Sequence, residues 1–159
     1  MLELRPATIG DLGAVDALLA RSYPAQLKRD YPPSVLLTAL PLIVRAQPDL
    51  LRCGTYYVVV EDTDILGAGG WTPDRSIPTK GHIRHLVSDH RHLRRGIARR
   101  IIAQCFATGR ASGITEMECW STFTAEAFYQ ASGFESLGPM DVPLRGGIAF
   151  PAVRMTCAL

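Results

Sequence analysis

The hydrophobic pattern opens with a short strand and continues as an amphipathic helix. Met1 to Arg5 is typical of a strand, and Pro6 stops it. Asp11 suits a helix N-cap, and apolar residues then recur at helical spacing, at Leu12, Val15, Leu18 and Leu19. Pro24 is expected to end this helix, because proline lacks the amide hydrogen that a helix interior needs.

A second helix and a β-hairpin are predicted next. The helix runs from about Ser34 to Ala46, with a break or kink at Pro41. Tyr56 to Val60 is a β-branched and aromatic run typical of a strand, and Ile65 to Thr72 returns as its partner. The polar residues 62–64 between them have the composition of a turn.

The second half of the chain alternates strands with helices. His82 to Ser88 is predicted as a strand, and the apolar period becomes helical from Gly96 to about residue 111. The remaining predicted elements are a strand from Ile114 to Trp120, a helix from Ala125 to Ala131, a strand opening at Phe134 to Leu137, and a last strand from Ala149 to Cys157.

This order of elements predicts a mixed α/β fold with about seven strands and about four helices. No repeat or Gly/Ser-rich linker divides the chain, so residues 1–159 are expected to form a single domain. With 47% hydrophobic and 20% charged residues, the composition excludes a disordered chain.

Composition also bears on location. The most apolar run, Val35 to Val44, is far shorter than the roughly 20 residues of a membrane span. Glu3 and Arg5 stand where a signal peptide would carry apolar residues. The four cysteines show no CxxC spacing and are expected to be free thiols. A cytoplasmic protein without a membrane partner is therefore expected.

Charge is concentrated in one segment, although the net charge is only +2. Between His82 and Arg100 six arginines stand against one acid, Asp89, and all four histidines lie in the same stretch. Its centre is a basic loop between the strand 82–88 and the helix that begins at Gly96. Free amide hydrogens at a helix start bind phosphate well, and Arg91, Arg94 and Arg95 add charge nearby. The alternative is a solvated basic helix start with an ordinary glycine.

The loop and three further segments resemble the GCN5-related N-acetyltransferases. Leu93-Arg94-Arg95-Gly96-Ile97-Ala98 resembles the family's Gln/Arg-x-x-Gly-x-Gly/Ala pyrophosphate motif, except that Leu93 replaces the polar first residue. The other segments are Arg5-Pro6-Ala7-Thr8 with Asp11, the run from Ser121 to Phe134 that includes Phe128-Tyr129, and Phe150-Pro151-Ala152-Val153-Arg154-Met155. Thr124 stands where many relatives carry asparagine.

The resemblance implies an acetyl-CoA-dependent N-acetyltransferase with a GNAT-like fold. Its acceptor would be a primary amine of a small molecule or peptide, which attacks the thioester directly. The implied cofactor-binding residues are the backbone of Leu86, Val87 and Ser88, the loop and helix start at Arg94, Arg95, Gly96, Ile97, Ala98 and Arg99, and the side chain of Thr124.

The resemblance also implies catalytic roles. Tyr129 matches the family's usual general acid. His82 or His85 is a candidate base, with Glu61 and Glu118 as weaker candidates, and ordered water is an alternative. His82 and Arg84 are expected on one face of their strand and His85 on the other. The acceptor site is expected to draw on Tyr23, Tyr31, Trp71 and Arg75.

Three other interpretations stay open. Asp89, His90 and His92 have metal-ligand side chains, but neighbouring arginines repel a cation, so no metal is expected. The basic segment 84–100 could serve an anion-binding or nucleic-acid-binding module, although it lacks interleaved aromatics, and no nucleic-acid partner is expected. The fold could also act as a non-catalytic acetyl-CoA sensor. The sequence leaves a homodimer open.

Overall fold

The computed structural model describes residues 1–159, and their backbone forms seven strands and five α-helices. The strands are β1 (Leu2–Pro6), β2 (Tyr56–Glu61), β3 (Asp64–Pro73), β4 (Lys80–Ser88), β5 (Glu116–Ser121), β6 (Glu135–Pro143) and β7 (Ala149–Ala158). The helices are α1 (Leu12–Leu27), α2 (Pro33–Ile43), α3 (Pro48–Arg52), α4 (Ile97–Ala111) and α5 (Glu126–Ala131). The predicted mixed α/β class is confirmed.

All seven strands belong to one sheet, in the order β1-β2-β3-β4-β5-β7-β6. Neighbouring strands are antiparallel except β4 and β5, which run parallel in the middle of the sheet. A parallel pair needs a crossover connection, and α4 supplies it. The sheet is therefore two antiparallel halves joined at one parallel pair.

Each face of the sheet is covered by helices over its own core. On one face α4 packs Ile97 and Ile101 against Tyr57 and Ile83 of the sheet. On the other face α1 packs Leu18 and its neighbours on a second buried cluster that includes Val58, Ala68 and Val87. A third cluster joins the end of α1 to α2 and to β7. These cores fix the middle of β4 from both sides.

The prediction that Pro24 ends the first helix was wrong. Pro24 does not end α1, which continues to Leu27. The buried side chain of Leu27 packs against Tyr31 and Leu36, and this tertiary packing outweighs the missing helical hydrogen bond. Pro41 lies inside α2, which ends two residues later at Ile43 rather than at about Ala46. The chain then forms the short helix α3, which brings the helix count to five instead of about four.

No helix of the structure has both the length and the apolar character that crossing a membrane requires.

Candidate active site

A large cavity opens where β4 and β5 separate. The two strands pair only at Lys80–Glu116, Gly81–Met117 and His82–Glu118. Beyond these three pairs they diverge, and a cavity of about 1630 Å³ lies between them. Its lining includes the rest of β4, the end of β5 and the starts of α4 and α5. The unpaired strand edges leave backbone groups available to a ligand.

A β-bulge in β4 shapes one wall of this cavity. Ala68 of β3 pairs with Val87 and Gly70 pairs with Arg84, so β4 carries one extra residue, and His85 has a φ of +46°. Ile83 and Leu86 both pack toward α4, whereas the His85 imidazole lies 3.3 Å from the Gln47 amide before α3. The expectation that His85 and Arg84 point to opposite faces is therefore wrong, because the bulge interrupts the alternation.

The three cofactor-binding residues predicted on β4 lie together on the cavity wall. Leu86, Val87 and Ser88 all line the cavity. The Ser88 carbonyl accepts a hydrogen bond of 2.6 Å from the Gln26 side-chain amide of α1, so it is already engaged. Gln26 also lines the cavity, and sequence reasoning missed it because no local pattern links α1 to the end of β4.

The loop after β4 leads into α4 with a left-handed turn. Arg94 and Gly96 have φ values of +66° and +75°. A Cβ added at Gly96 would meet no atom within 4 Å, so in this chain the backbone conformation itself accounts for the glycine. The first helical bond of α4 joins the Arg100 amide to the Gly96 carbonyl. The preceding amide hydrogens therefore have no acceptor within the helix and can bind an anion.

The arginines of this loop divide into two groups. Arg94 and Arg99 line the cavity together with Ile97 and Ala98. Arg95 turns away and forms a two-point ion pair with Glu61, in which one guanidinium nitrogen lies 3.1 Å from Glu61 Oε1 and the other contacts Oε2. Arg91 binds Asp89. The structure thus places Arg95 outside the cavity lining, and Arg94 and Arg99 remain as its cationic side chains at this end.

Asp89 connects the start of the loop to α1. Its side chain is fully buried and accepts hydrogen bonds from the Arg91 backbone and from the guanidinium groups of Arg91 and Arg21. The hydrogen bond from Arg91 is the main reason that the pKa of Asp89 lies well below its usual value. This carboxylate holds the start of the loop against α1.

Tyr129 reaches the cavity from α5. The residue is 6% exposed, and its ring lies edge-on between Phe128 and Phe134, at centroid distances of 5.4 and 5.2 Å. Burial raises the pKa of the phenol well above 10, and no hydrogen bond from the chain offsets this effect. The hydroxyl is therefore a protonated donor at neutral pH.

Thr124 lies at the other side of the same gap. It lines the cavity, and its hydroxyl donates a 2.7 Å hydrogen bond to the Asp30 carboxylate after α1. The contact ties the loop before α5 to the end of α1 across the cavity.

The two candidate histidines have different surroundings. His82 stands at the last paired position of β4, and its Nε2 lies 2.6 Å from an Asp74 oxygen. Contact with His82 holds the pKa of Asp74 well below its usual value. His85 is the opposite case: burial lowers its pKa to about 4, and its Nδ1 has no hydrogen-bond partner.

Glu118 faces His82 across the point of divergence. It is 4% exposed and accepts hydrogen bonds from Lys80, Arg154 and the Trp120 indole, each at 2.8 to 2.9 Å. Burial opposes ionisation, but these three donors outweigh it and lower the pKa of Glu118 to about 2. Glu118 therefore stays a carboxylate, and by accepting the indole N–H it holds the Trp120 side chain at the cavity rim.

The other predicted acceptor residues are only partly brought together. Tyr23 and Arg75 line the cavity, and burial raises the pKa of Tyr23 to about 12. Trp71 is instead buried toward α4, where its indole donates to Thr108. Tyr31 packs between Phe123 and Phe150, outside the cavity lining. Alternation along β3 explains the Trp71 error, because its neighbour Thr72 faces the cavity.

Known proteins share this architecture. A family model described as an acetyltransferase (GNAT) domain matches residues 47–158. A comparison with curated proteins gave no match. Among solved structures, the PaiA N-acetyltransferase of Thermoplasma acidophilum in complex with coenzyme A is 14% identical with a TM-score of 0.76, over 100% of this chain and 99% of that one.

Two further structures show the same fold. A GCN5-related N-acetyltransferase of Rhodopseudomonas palustris, also described as a class-II aminotransferase, is 15% identical with a TM-score of 0.79, over 99% of this chain and 95% of that one. The N-acetylglutamate synthase of Neisseria gonorrhoeae, complexed with coenzyme A and N-acetyl-glutamate, is 16% identical with a TM-score of 0.70. This chain covers only 35% of that longer protein.

The family match spans most of the chain, and it includes the strands that diverge, the helix start beside them and Tyr129. It supports the acyltransferase class, and the solved structures that contain coenzyme A are consistent with acetyl-CoA as the co-substrate that the resemblance implied. The chain belongs to the GNAT family of acetyltransferases.

Proposed function

We propose that the cavity between β4 and β5 binds acetyl-CoA and that the protein transfers the acetyl group directly to a primary amine of a small molecule or peptide. One observation supports this proposal above the others: the Tyr129 ring lines the gap in which the two parallel strands lose their pairing. A proton donor and unpaired backbone thus stand at the same place.

The residues around the cavity fit the parts of the co-substrate. The unpaired amides at the start of α4, with Arg94 and Arg99, suit the pyrophosphate. The β4 backbone from Leu86 to Ser88 suits the amide-rich pantetheine arm. Leu93 lines the cavity with 52% of its surface exposed, so it offers apolar contact where relatives use a polar side chain.

The proposed chemistry moves one proton to the leaving sulphur and two protons away from the acceptor nitrogen. As the C–N bond to the acceptor forms and the C–S bond breaks, Tyr129 donates its phenol proton to the departing sulphur, and solvent later returns a proton to the phenolate. Before attack, an alkyl ammonium with a pKa of about 10 must lose a proton. Once the C–N bond has formed, the same nitrogen releases a further proton to solvent, so that the products are a neutral amide and a free thiol.

His82 is the better of the two candidate bases for the proton that the acceptor ammonium loses before attack. It stands at the point of divergence, and the Asp74 carboxylate holds its ring in place. His85 has a pKa of about 4, which makes it a poor proton acceptor for an ammonium ion. We expect His82→Gln to slow acetyl transfer more at pH 7 than His85→Gln does.

The basic segment supports this proposal better than it supports the nucleic-acid alternative. Arg91 forms an ion pair with Asp89, and Arg95 forms one with Glu61. Their charge is therefore largely compensated within the chain, and the exposed positive surface of the loop is smaller than the sequence indicated.

Binding and turnover test the proposal separately. Acetyl-CoA binds only the folded state, so at a hundredfold excess over its Kd it should stabilise the protein by about 2.7 kcal/mol and raise its melting temperature. Release of free thiol should then depend on an added amine from a panel of amino acids, polyamines, aminoglycosides and peptide N-termini. No thermal shift at millimolar acetyl-CoA would contradict binding, and a shift without amine-dependent thiol release would leave only the sensor.

A further inference from the structure

One end of the cavity is markedly cationic. Near the β3–β4 hairpin, Thr72, Arg75, His82, Arg84 and Trp120 line both the large cavity and an adjoining space of about 480 Å³. This hairpin end lies at the opposite end of β4 from the loop that begins α4. It is therefore separate from the proposed pyrophosphate site.

The carboxylates at the hairpin end already have partners. Asp74 contacts His82 through one oxygen and accepts the backbone amides of Ser76 and Ile77 through the other. Glu118 is shared by Lys80, Arg154 and Trp120. Both carboxylates are therefore already engaged and do not neutralise a further cation.

Arg75 and Arg84, in contrast, form no ion pair. The Arg84 Nε donates to the Thr72 hydroxyl at 2.9 Å, which fixes the plane of the guanidinium and leaves its two terminal nitrogens without a partner in the chain. Burial, followed by the nearness of Arg75, lowers the pKa of Arg84. Histidine apart, this end holds two carboxylates, Asp74 and Glu118, and four cationic side chains: Arg75, Lys80, Arg84 and Arg154.

A partly buried, unpaired guanidinium is costly, and an anion that binds it recovers part of the lost hydration. The two free nitrogens of a fixed guanidinium match the two oxygens of a carboxylate. Arg84 lies two residues beyond His82 on the same face of the strand, roughly 6–7 Å away. In one small acceptor molecule, a carboxylate bound to Arg84 would be only a few bonds away from an amine near His82, where the strands diverge.

We propose that the acceptor is an amino acid, whose carboxylate binds to Arg84 with support from Arg75 while its amine faces the gap. This proposal rests on the proposed acetyl transfer to a primary amine and names the class of that amine.

Matched pairs of acceptors test this specificity. Glycine, β-alanine, 4-aminobutyrate and phenylalanine are each compared with the corresponding carboxamide at equal concentrations of free amine, and 2-aminoethyl phosphate is added as an anion of another shape. In the wild-type protein, kcat/KM should be at least about tenfold higher for the acid in one or more pairs, as expected for a charge-assisted hydrogen bond.

Substitution of Arg84 should remove that preference. In Arg84→Met the acid-to-amide ratio should fall by about ten- to a hundredfold. In Arg84→Lys it should fall less, because the charge remains but the two-point geometry is lost. Arg45→Met, at an exposed position outside the cavity lining, is the matched control and should keep the ratio.

The outcomes separate this proposal from the proposed function. Three results would overturn the proposal that the acceptor is an amino acid and leave acetyl transfer intact. They are equal kcat/KM for acids and amides, a higher kcat/KM for 2-aminoethyl phosphate than for the amino acids, and an unchanged acid-to-amide ratio in Arg84→Met. If no amine were acetylated, the proposed function would fail. Calorimetry of the same amino acids with the coenzyme A complex would then decide: binding lost in Arg84→Met supports the carboxylate site, and no binding overturns it.

Discussion

Replacing Tyr129 with phenylalanine removes one hydroxyl and leaves the packing of the ring intact. Because that hydroxyl makes no hydrogen bond within the chain, the free energy of unfolding should change by less than about 1 kcal/mol. Its proposed role is proton donation to a departing thiolate, whose conjugate thiol has an intrinsic pKa of about 8.5, so the group leaves fairly easily. Turnover should therefore fall by about ten- to a hundredfold, or 1.4 to 2.8 kcal/mol of activation free energy.

The assay is thiol release at saturating acetyl-CoA, with acetyl-CoA affinity measured separately by calorimetry. The affinity should change little, because the phenol proton is needed only as sulphur leaves. In the wild-type protein, burial raises the pKa of Tyr129 well above 10, so the acid stays protonated as pH rises and kcat should show no fall between about pH 7 and pH 9 from its ionisation.

Tyr57→Phe is the matched control, since it makes the same chemical change at a buried tyrosine outside the cavity. The Tyr57 hydroxyl lies 2.9 Å from the Thr108 hydroxyl of α4, so this variant should lose about 1 kcal/mol of stability and keep its turnover. The assignment of Tyr129 is refuted if Tyr129→Phe retains wild-type turnover, or if its loss of activity only follows a loss of folded protein.

Two further predictions concern stability. Asp89→Asn should cost about 2 kcal/mol at pH 7, by removing the charge that binds Arg21 and Arg91. Because the folded pKa of Asp89 lies below its unfolded value, its contribution is present above about pH 4 and shrinks as pH falls further. The free energies of unfolding of the two proteins should therefore approach each other in acid, and a difference that stayed constant as pH fell would contradict this. Gly70→Ala would place a Cβ 2.2 Å from the Thr55 carbonyl oxygen and should cost about 3 kcal/mol or more by denaturant titration, whereas Gly13→Ala, in open space on α1, should be neutral or stabilising; equal stability of the two would rule out the steric account.

Periodicity predicted the strands and α4 well, because their apolar residues have cores on defined faces. It failed where distant contacts override local preference: Leu27 carries α1 past Pro24, and the bulge at His85 turns its side chain toward Arg84's face. The cavity loop could be anticipated from Gly96, since a positive φ has a sequence signature. The ion pair that withdraws Arg95 from the cavity could not, because its partner Glu61 lies on β2, far away in the sequence, and no sequence pattern links the two residues.

The single parallel junction between β4 and β5 has a mechanical consequence. Three residue pairs join a four-stranded half of the sheet to a three-stranded half, and beyond His82 nothing in the sheet itself closes the seam. A long ligand laid along that seam would act as a missing strand and clamp the two halves together. Amide hydrogen exchange should therefore slow on both sides of the seam, in residues 83–88 and 119–121, when acetyl-CoA binds. The co-substrate would then stabilise the sheet as well as react within it.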